Sequence, residues 1–146
     1  MSQERKIEVR INETNDPESK LEAELGRLSE DESKEALLLK VIVQNCGGIG
    51  QVERTANALV GCCKPHWRLV FRIDFSSLES VPESVWELAN LEELRLDDNK
   101  LKTLSLAIAK LIKLKGLWIG GNPFEGFPEA VCKLEQLEEL SVYGCQ

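Results

Sequence analysis

The clearest pattern in the chain is a set of apolar positions that recurs with a 23-residue period over its second half. The unit beginning at Leu91 is matched by units beginning at Leu114 and Leu137, and more loosely by one beginning at Arg68. Each unit has apolar side chains at its fourth and sixth positions. The ninth position carries a small or polar side chain in every unit: Ser76, Asn99, Asn122 and Cys145. A fixed period over so many positions indicates stacked repeats.

Each unit has a physical interpretation. The alternation of apolar and polar residues around Leu94 and Leu96 predicts a short strand with its leucines turned inward. The ninth residue falls where the chain leaves the strand. We expect its side chain to bond backbone groups that the turn leaves unpaired, forming a ladder along the units. A single unit cannot bury its own apolar face, so the units are expected to stack along a parallel sheet.

The second half of each unit also repeats, as in Val81-Pro82 and Phe127-Pro128. With this return segment, residues 68–146 resemble the leucine-rich-repeat family, in its 23-residue intracellular Ras-group form. The resemblance implies a short solenoid of about three and a half units, with parallel strands on a concave face that binds a protein partner in intracellular signalling. The sequence departs from the family at Arg68 and Ser76, and at Ser105 where proline is expected. The last unit ends at Gln146 without a return segment or cap.

The first half of the chain lacks the repeat. Residues 1–30 are highly charged and predict a partly disordered or loosely docked segment. Residues 6–11 suit a short strand or a disordered tail, and a narrow apolar stripe follows on a predicted helix. Two further apolar helical segments, about 31–45 and 50–63, predict a helical cap over 31–66 that precedes the repeats at 67–146. The predicted fold class is therefore α/β, a short repeat solenoid with an N-terminal helical cap.

The strand residues between the inward leucines would form the binding face. They fall into columns, and the candidate contacts are Arg72, Asp74, Arg95, Asp97, Trp118 and Tyr143. Trp118 has two interpretations: a contact residue of an interface, or a ring packed locally against Arg95 or Tyr143. Glycines nearby are expected to leave the surface open around Trp118, so that a partner backbone could approach: Gly116, Gly120 and Gly121. We expect Glu93, Asp98 and Glu139 to be ordinary solvated residues.

Charge and composition limit the classes of partner that the protein is expected to bind. The net charge of −7 argues against a nucleic acid and favours a basic protein, or a component of a small GTPase pathway by resemblance. No run of apolar residues is long enough to predict a membrane span, and the polar, charged N-terminal residues lead us to expect no signal peptide. Five cysteines fit no disulfide framework, which predicts free buried thiols and a cytoplasmic location. For the uncapped strand edge at 137–142 we expect either that the chain is a fragment of a longer array, or that a partner or a second copy covers the edge.

Little in the sequence indicates catalysis. Cys62-Cys63-x-x-His66 is the one local group with metal-ligand residue types, and adjacent cysteines chelate one ion poorly. We therefore expect no metal, no cofactor and no enzymatic activity. Three hypotheses remain open: an intracellular interaction module, a recognition domain of a larger receptor or effector whose enzymatic part lies elsewhere, and a small enzyme that uses His66 or the cysteines.

Overall fold

A computed structural model describes residues 3–11, 17–30, 35–44 and 49–145. The described part is an α/β structure of two layers, a parallel sheet and a row of helices. The strands are β1 Arg5–Ile11, β2 Leu37–Gln44, β3 Trp67–Asp74, β4 Leu91–Arg95, β5 Gly116–Trp118 and β6 Glu139–Ser141. The helices are α1 Pro17–Glu30 and α2 Ile49–Cys62, and the 3₁₀ helices are η1 Glu83–Glu87, η2 Leu106–Lys110 and η3 Glu129–Lys133.

The six strands lie side by side in the order in which they occur in the chain, all parallel. Alternate side chains of β1, β2 and β3 point into an apolar core, together with Leu91 and Leu94 of β4 and Leu117 of β5. Helices α1 and α2 and the 3₁₀ helices pack against each other over that core in the same order. The opposite face of the sheet, called here the outer face, is left without a covering layer in the described structure. Parallel pairing requires crossovers, and here each crossover between described strands contains a helix or a 3₁₀ helix.

The helix predicted over residues 31–45 is wrong, because Leu37–Gln44 forms β2. This strand lies between β1 and β3, so both of its edges are paired. Val41 and Val43 point into the core, and Ile42 is equally buried on the outer face. A strand buried on both faces has consecutive apolar residues, which a sequence pattern cannot separate from a buried helix. Residues 31–34 and 45–48 of the predicted cap lie outside the described residues.

Residues 1–30, where described, are an integral part of the fold rather than a loose segment. Strand β1 pairs with β2 along its whole length, from Arg5 opposite Leu37 to Ile11 opposite Val43. The apolar stripe of α1 is buried in the common core: Leu21, Leu25 and Leu28. The charged residues of this segment whose side chains are described are exposed or half-buried on a strand and a helix, so composition alone misled the interpretation of this segment.

Helix α2 is confirmed where the sequence predicted it. Its buried side includes Val52, Ala56 and Leu59, as expected from their helical spacing, and also Thr55, whose hydroxyl donates to the Gln51 carbonyl at 2.8 Å. Val60, which is also apolar, lies exposed. The buried stripe is therefore narrower than the apolar stripe of the sequence.

The 23-residue period of the sequence is repeated in the backbone. The three 3₁₀ helices begin at matching positions of successive units, Glu83, Leu106 and Glu129. A residue shortly after each strand adopts a left-handed conformation at the same spacing: Phe75 (φ 52°), Asp98 (φ 55°), Gly121 (φ 67°) and Gly144 (φ 64°). The chain therefore turns away from the sheet in the same way after four successive strands, at a cost in strain for Phe75 and Asp98.

Strand β6 is an outer strand of the described sheet, and the inward side chains at this edge are only partly covered. Leu140 is 40% exposed and Val142 is 37% exposed, whereas the matching residues one unit earlier, Leu117 and Ile119, are completely buried. The expected exposure of this edge is thus present in the structure. Self-association through it stays a prediction.

Candidate functional site

The strand register brings the candidate residues together on the outer face. Arg72 is paired with Arg95, Arg95 with Trp118, and Trp118 with Ser141. A second row, toward the strand N-termini, runs from Val70 through Glu93 and Gly116 to Glu139. These rows are the columns that the 23-residue spacing predicts. They continue onto β2, where Lys40 is opposite Val70 and Ile42 is opposite Arg72.

Trp118 lies in the middle of this face and is half-buried. The Arg95 guanidinium carbon lies over its ring, 4.3 Å from the ring centroid, a cation–π arrangement. Along its own strand, the six-membered ring rests against Gly116, where an added Cβ would overlap it. The local packing of Trp118 against Arg95 is therefore present, and part of the side chain remains accessible.

Tyr143 is the second aromatic residue of the face and is 57% exposed. Its ring rests against Gly120, again at the place that a Cβ would occupy. Its hydroxyl donates to Oδ2 of Asp98 at 3.3 Å. We call Arg95, Trp118 and Tyr143 together the aromatic patch.

The expectation that glycines leave the surface open around Trp118 is wrong. Gly116 is covered by the Trp118 ring and Gly120 by the Tyr143 ring. Gly121 is covered by the carboxylate of Asp98. The missing side chains make room for neighbouring side chains of this chain rather than for a partner backbone, so Gly116 and Gly120 position the two aromatic rings.

Asp74 is not available as a contact residue, although the sequence placed it on the binding face. It is 2% exposed, and its Oδ2 accepts two hydrogen bonds from the Arg72 guanidinium, at 2.7 and 3.1 Å. Its Oδ1 is buried without a hydrogen-bond partner. Arg72 is thus already occupied by a carboxylate of its own strand.

Asp97 follows β4 and is half-buried beside the aromatic patch. Its Oδ1 accepts a hydrogen bond of 2.9 Å from the Gly120 backbone amide. Burial raises the pKa of Asp97, with smaller contributions from the charges of Asp74 and Asp98, against the opposing effects of that hydrogen bond and of the Arg95 charge. The ionised form of Asp97 is therefore disfavoured in the folded protein.

The residues at the ninth position of each unit line the turn below this face. Oδ1 of Asn99 accepts from the amides of Ser76 (3.1 Å) and Leu78 (3.2 Å), and its Nδ2 donates to the Ile73 carbonyl at 2.6 Å. Asn122 repeats the pattern one unit later, accepting from the Leu101 amide at 3.1 Å. The shorter side chains at the ends of the ladder contact single carbonyls: the Ser76 hydroxyl donates to Asp74 and the Cys145 thiol to Ile119.

The cysteines are less buried than expected. Cys132 is exposed, and Cys62, Cys63 and Cys145 are half-buried free thiols, while Cys46 lies outside the described residues. Burial, and secondarily the neighbouring Cys62, raises the pKa of Cys63 to about 12. A thiol with such a pKa is almost entirely protonated at neutral pH and is a poor nucleophile.

Two further findings concern ligands and membranes. Within the described ranges, no three acidic, histidine or cysteine side chains converge as a metal site would require. In the same part of the chain, no helix combines the length and the apolar character needed to cross a bilayer.

Sequence reasoning missed the part of the outer face that β1 and β2 contribute. Lys40 pairs with Glu8 at 3.4 Å, and Ile42 is buried next to Arg72 in the register. These residues were overlooked because residues 31–45 were interpreted as a helix. The charged alternation of residues 6–11 was the available signal, since it matches a strand with one solvent-facing side.

Compared with models of known protein families and with curated protein sequences, the chain matches none.

Proposed function

We propose that this chain is a protein-interaction module of the leucine-rich-repeat type, which binds a protein partner through the outer face around the aromatic patch. The repeat type is supported by the 23-residue spacing of the 3₁₀ helices and of the left-handed residues that follow the strands. It is also supported by the Asn99 and Asn122 side chains, which bond the turns of successive units. Stacked repeats of this kind present an extended surface to partners.

The main support for this binding site is the pair of aromatic rings that are held in place on the uncovered face of the sheet. Trp118 is fixed by Arg95 and Gly116, and Tyr143 by Gly120 and Asp98. Aromatic and arginine side chains contribute most strongly to interfaces, and rings that are already ordered lose little conformational entropy on binding. A catalytic role for Cys63 is disfavoured by its raised pKa.

Affinity capture from the cells that make the protein tests the proposal, with four forms of the chain as bait. Wild type is compared with Trp118→Ala and Arg95→Glu, and with Ile112→Ala as the matched control. Ile112 is 69% exposed and follows η2 in the helical layer, away from the outer face. Its replacement therefore removes an exposed apolar group from the other side of the molecule.

We expect at least one partner to be retained by wild type and Ile112→Ala and lost by both variants of the patch. Circular dichroism should show all four baits equally folded, since Trp118 and Arg95 lie on the solvent side of the sheet. If the same proteins are retained by all four forms, the outer face is not the binding surface.

A further inference from the structure

The charges around the aromatic patch are not balanced. Two cations there have no ion-pair partner within the described part of the chain, Arg95 and Lys115. The other cations nearby are engaged, Arg72 with Asp74 and Arg68 with both Glu4 and Glu92. Five carboxylates near the patch have no ion-pair partner within the described part of the chain: Glu93, Asp97, Asp98, Glu138 and Glu139. The exposed rings therefore stand in a surface of net negative charge.

The imbalance is largest next to Tyr143. Asp97 and Asp98 follow one another just after β4, and the buried Asp74 is close enough to act electrostatically on both Asp97 and Tyr143. Asp74 itself is buried and already paired with Arg72 at 2.7 Å, so its charge is largely compensated. A cation brought to Asp97 would interact with the two unpaired carboxylates of Asp97 and Asp98, which is a stronger attraction than one isolated exposed pair provides.

Tyr143 supplies a surface for the same cation. One side of its ring rests on Gly120, its hydroxyl reaches Asp98, and more than half of the side chain is open to solvent. A lysine or arginine side chain laid on the open ring would have its charge beside the Asp97 and Asp98 carboxylates. The Arg95 guanidinium already occupies a place over Trp118, and its charge would repel a second cation from that ring.

We infer that the partner is a basic polypeptide segment, with an arginine or lysine side chain that stacks on Tyr143 and pairs with the carboxylates of Asp97 and Asp98. This inference rests on the proposed function, since it names the chemistry of the partner at the same face. Trp118, shielded by Arg95, contacts an apolar part of the segment. Charge of opposite sign across the interface would speed association and select against acidic partners.

A random-peptide display library, selected on the full chain and counter-selected on Trp118→Ala, tests the inference before any cellular partner is identified. We expect the peptides that depend on Trp118 to be enriched in Lys and Arg over Asp and Glu. The affinity of the best peptide is then measured through the change in tryptophan fluorescence on binding, which we expect to come from Trp118 because Trp67 and Trp86 are buried. Raising the salt concentration should weaken binding.

Variants of the protein then show where the basic side chain of the peptide binds. Asp97→Asn should lower the peptide affinity about fivefold, as expected for a partly exposed charge pair. Glu125→Gln, the same charge change in an exposed turn before η3, should leave the affinity unchanged. Tyr143→Leu should weaken binding while Tyr143→Phe, which keeps the ring, should retain most of it.

The outcomes separate the two proposals. If the peptides that depend on Trp118 are neutral or acidic, the inference of a basic partner is wrong, while the proposed binding face is retained. Basic peptides whose affinity is the same for Asp97→Asn and Glu125→Gln overturn the inference as well. A selection that yields no Trp118-dependent peptide counts against the proposed function itself, and the inference fails with it.

Discussion

Asn99 and Asn122 donate to the same backbone oxygen. Nδ2 of Asn99 lies 3.0 Å from the Leu96 carbonyl oxygen, and Nδ2 of Asn122 lies 2.9 Å from that same atom. The two side chains occupy the ninth position of successive units. Each side-chain amide donates to backbone carbonyls of its own unit and of the preceding unit. The two asparagines therefore join neighbouring units through buried hydrogen bonds, in addition to the contacts of the apolar core.

Replacing Asn99 with alanine should destabilise the fold by about 3 kcal/mol, because the buried amides of Ser76 and Leu78 lose their acceptor. Urea denaturation followed by circular dichroism measures the change in the free energy of unfolding. Asn57→Ala is the control, since Asn57 is exposed on α2 and its loss should change stability by less than about 0.5 kcal/mol. Equal stabilities of the two variants would show that the side-chain ladder is not structural.

Gly116→Ala should displace the Trp118 ring, because the new methyl group overlaps it. The ring is the end of a flexible side chain, so we expect the fold to survive while acrylamide quenches Trp118 more strongly and partner affinity falls about tenfold. Gly126→Ala is the matched control, because a Cβ at Gly126 meets no atom within 4 Å. Identical quenching of the two variants would mean that Gly116 does not position Trp118.

Asp97→Asn should stabilise the protein at neutral pH. The folded state raises the pKa of Asp97, so this group contributes stability below its unfolded pKa and loses it as the pH rises through the folded pKa. Asparagine carries no charge and keeps an oxygen for the Gly120 amide. We expect the melting temperature at pH 7 to rise by about 1–3 °C, with the difference disappearing below about pH 4.

The control for this pH dependence is Glu125→Gln, which should show no such difference between pH 7 and pH 4. A melting temperature of Asp97→Asn that is below wild type at pH 7 would contradict the proposed excess of negative charge around Asp97. Together with the weaker binding expected for the same variant, a gain in stability would mark Asp97 as a residue kept for function.

Cys63 should resist alkylation while Cys132 reacts. The pKa of Cys63 is raised to about 12, so little thiolate exists at pH 7.5, and Cys132 is exposed. Iodoacetamide treatment of the folded protein, followed by peptide mass spectrometry, should label Cys132 much faster. In urea the two rates should become similar, which controls for intrinsic reactivity. Rapid labelling of Cys63 in the folded protein would revive the hypothesis of a thiol nucleophile.

The amino-acid sequence alone predicts the features that depend on a local, repeated pattern. The 23-residue period located β4 to β6, aligned Arg72, Arg95 and Trp118 in one row, and singled out Asn99 and Asn122 as turn residues. These predictions did not depend on distant contacts, because side chains at matching positions of successive units become neighbours when their strands pair in register.

Features that depend on neighbours from other strands became apparent from the three-dimensional packing. Residues 37–44 are a strand because β1 and β3 pair with both of its edges, and an apolar run of that length is equally compatible with a helix. The pairing of Asp74 with Arg72, and the covering of Gly116 and Gly120 by aromatic rings, follow from side-chain positions that composition does not specify. Periodicity determines which residues share a face, whereas packing decides which of them remain free to bind.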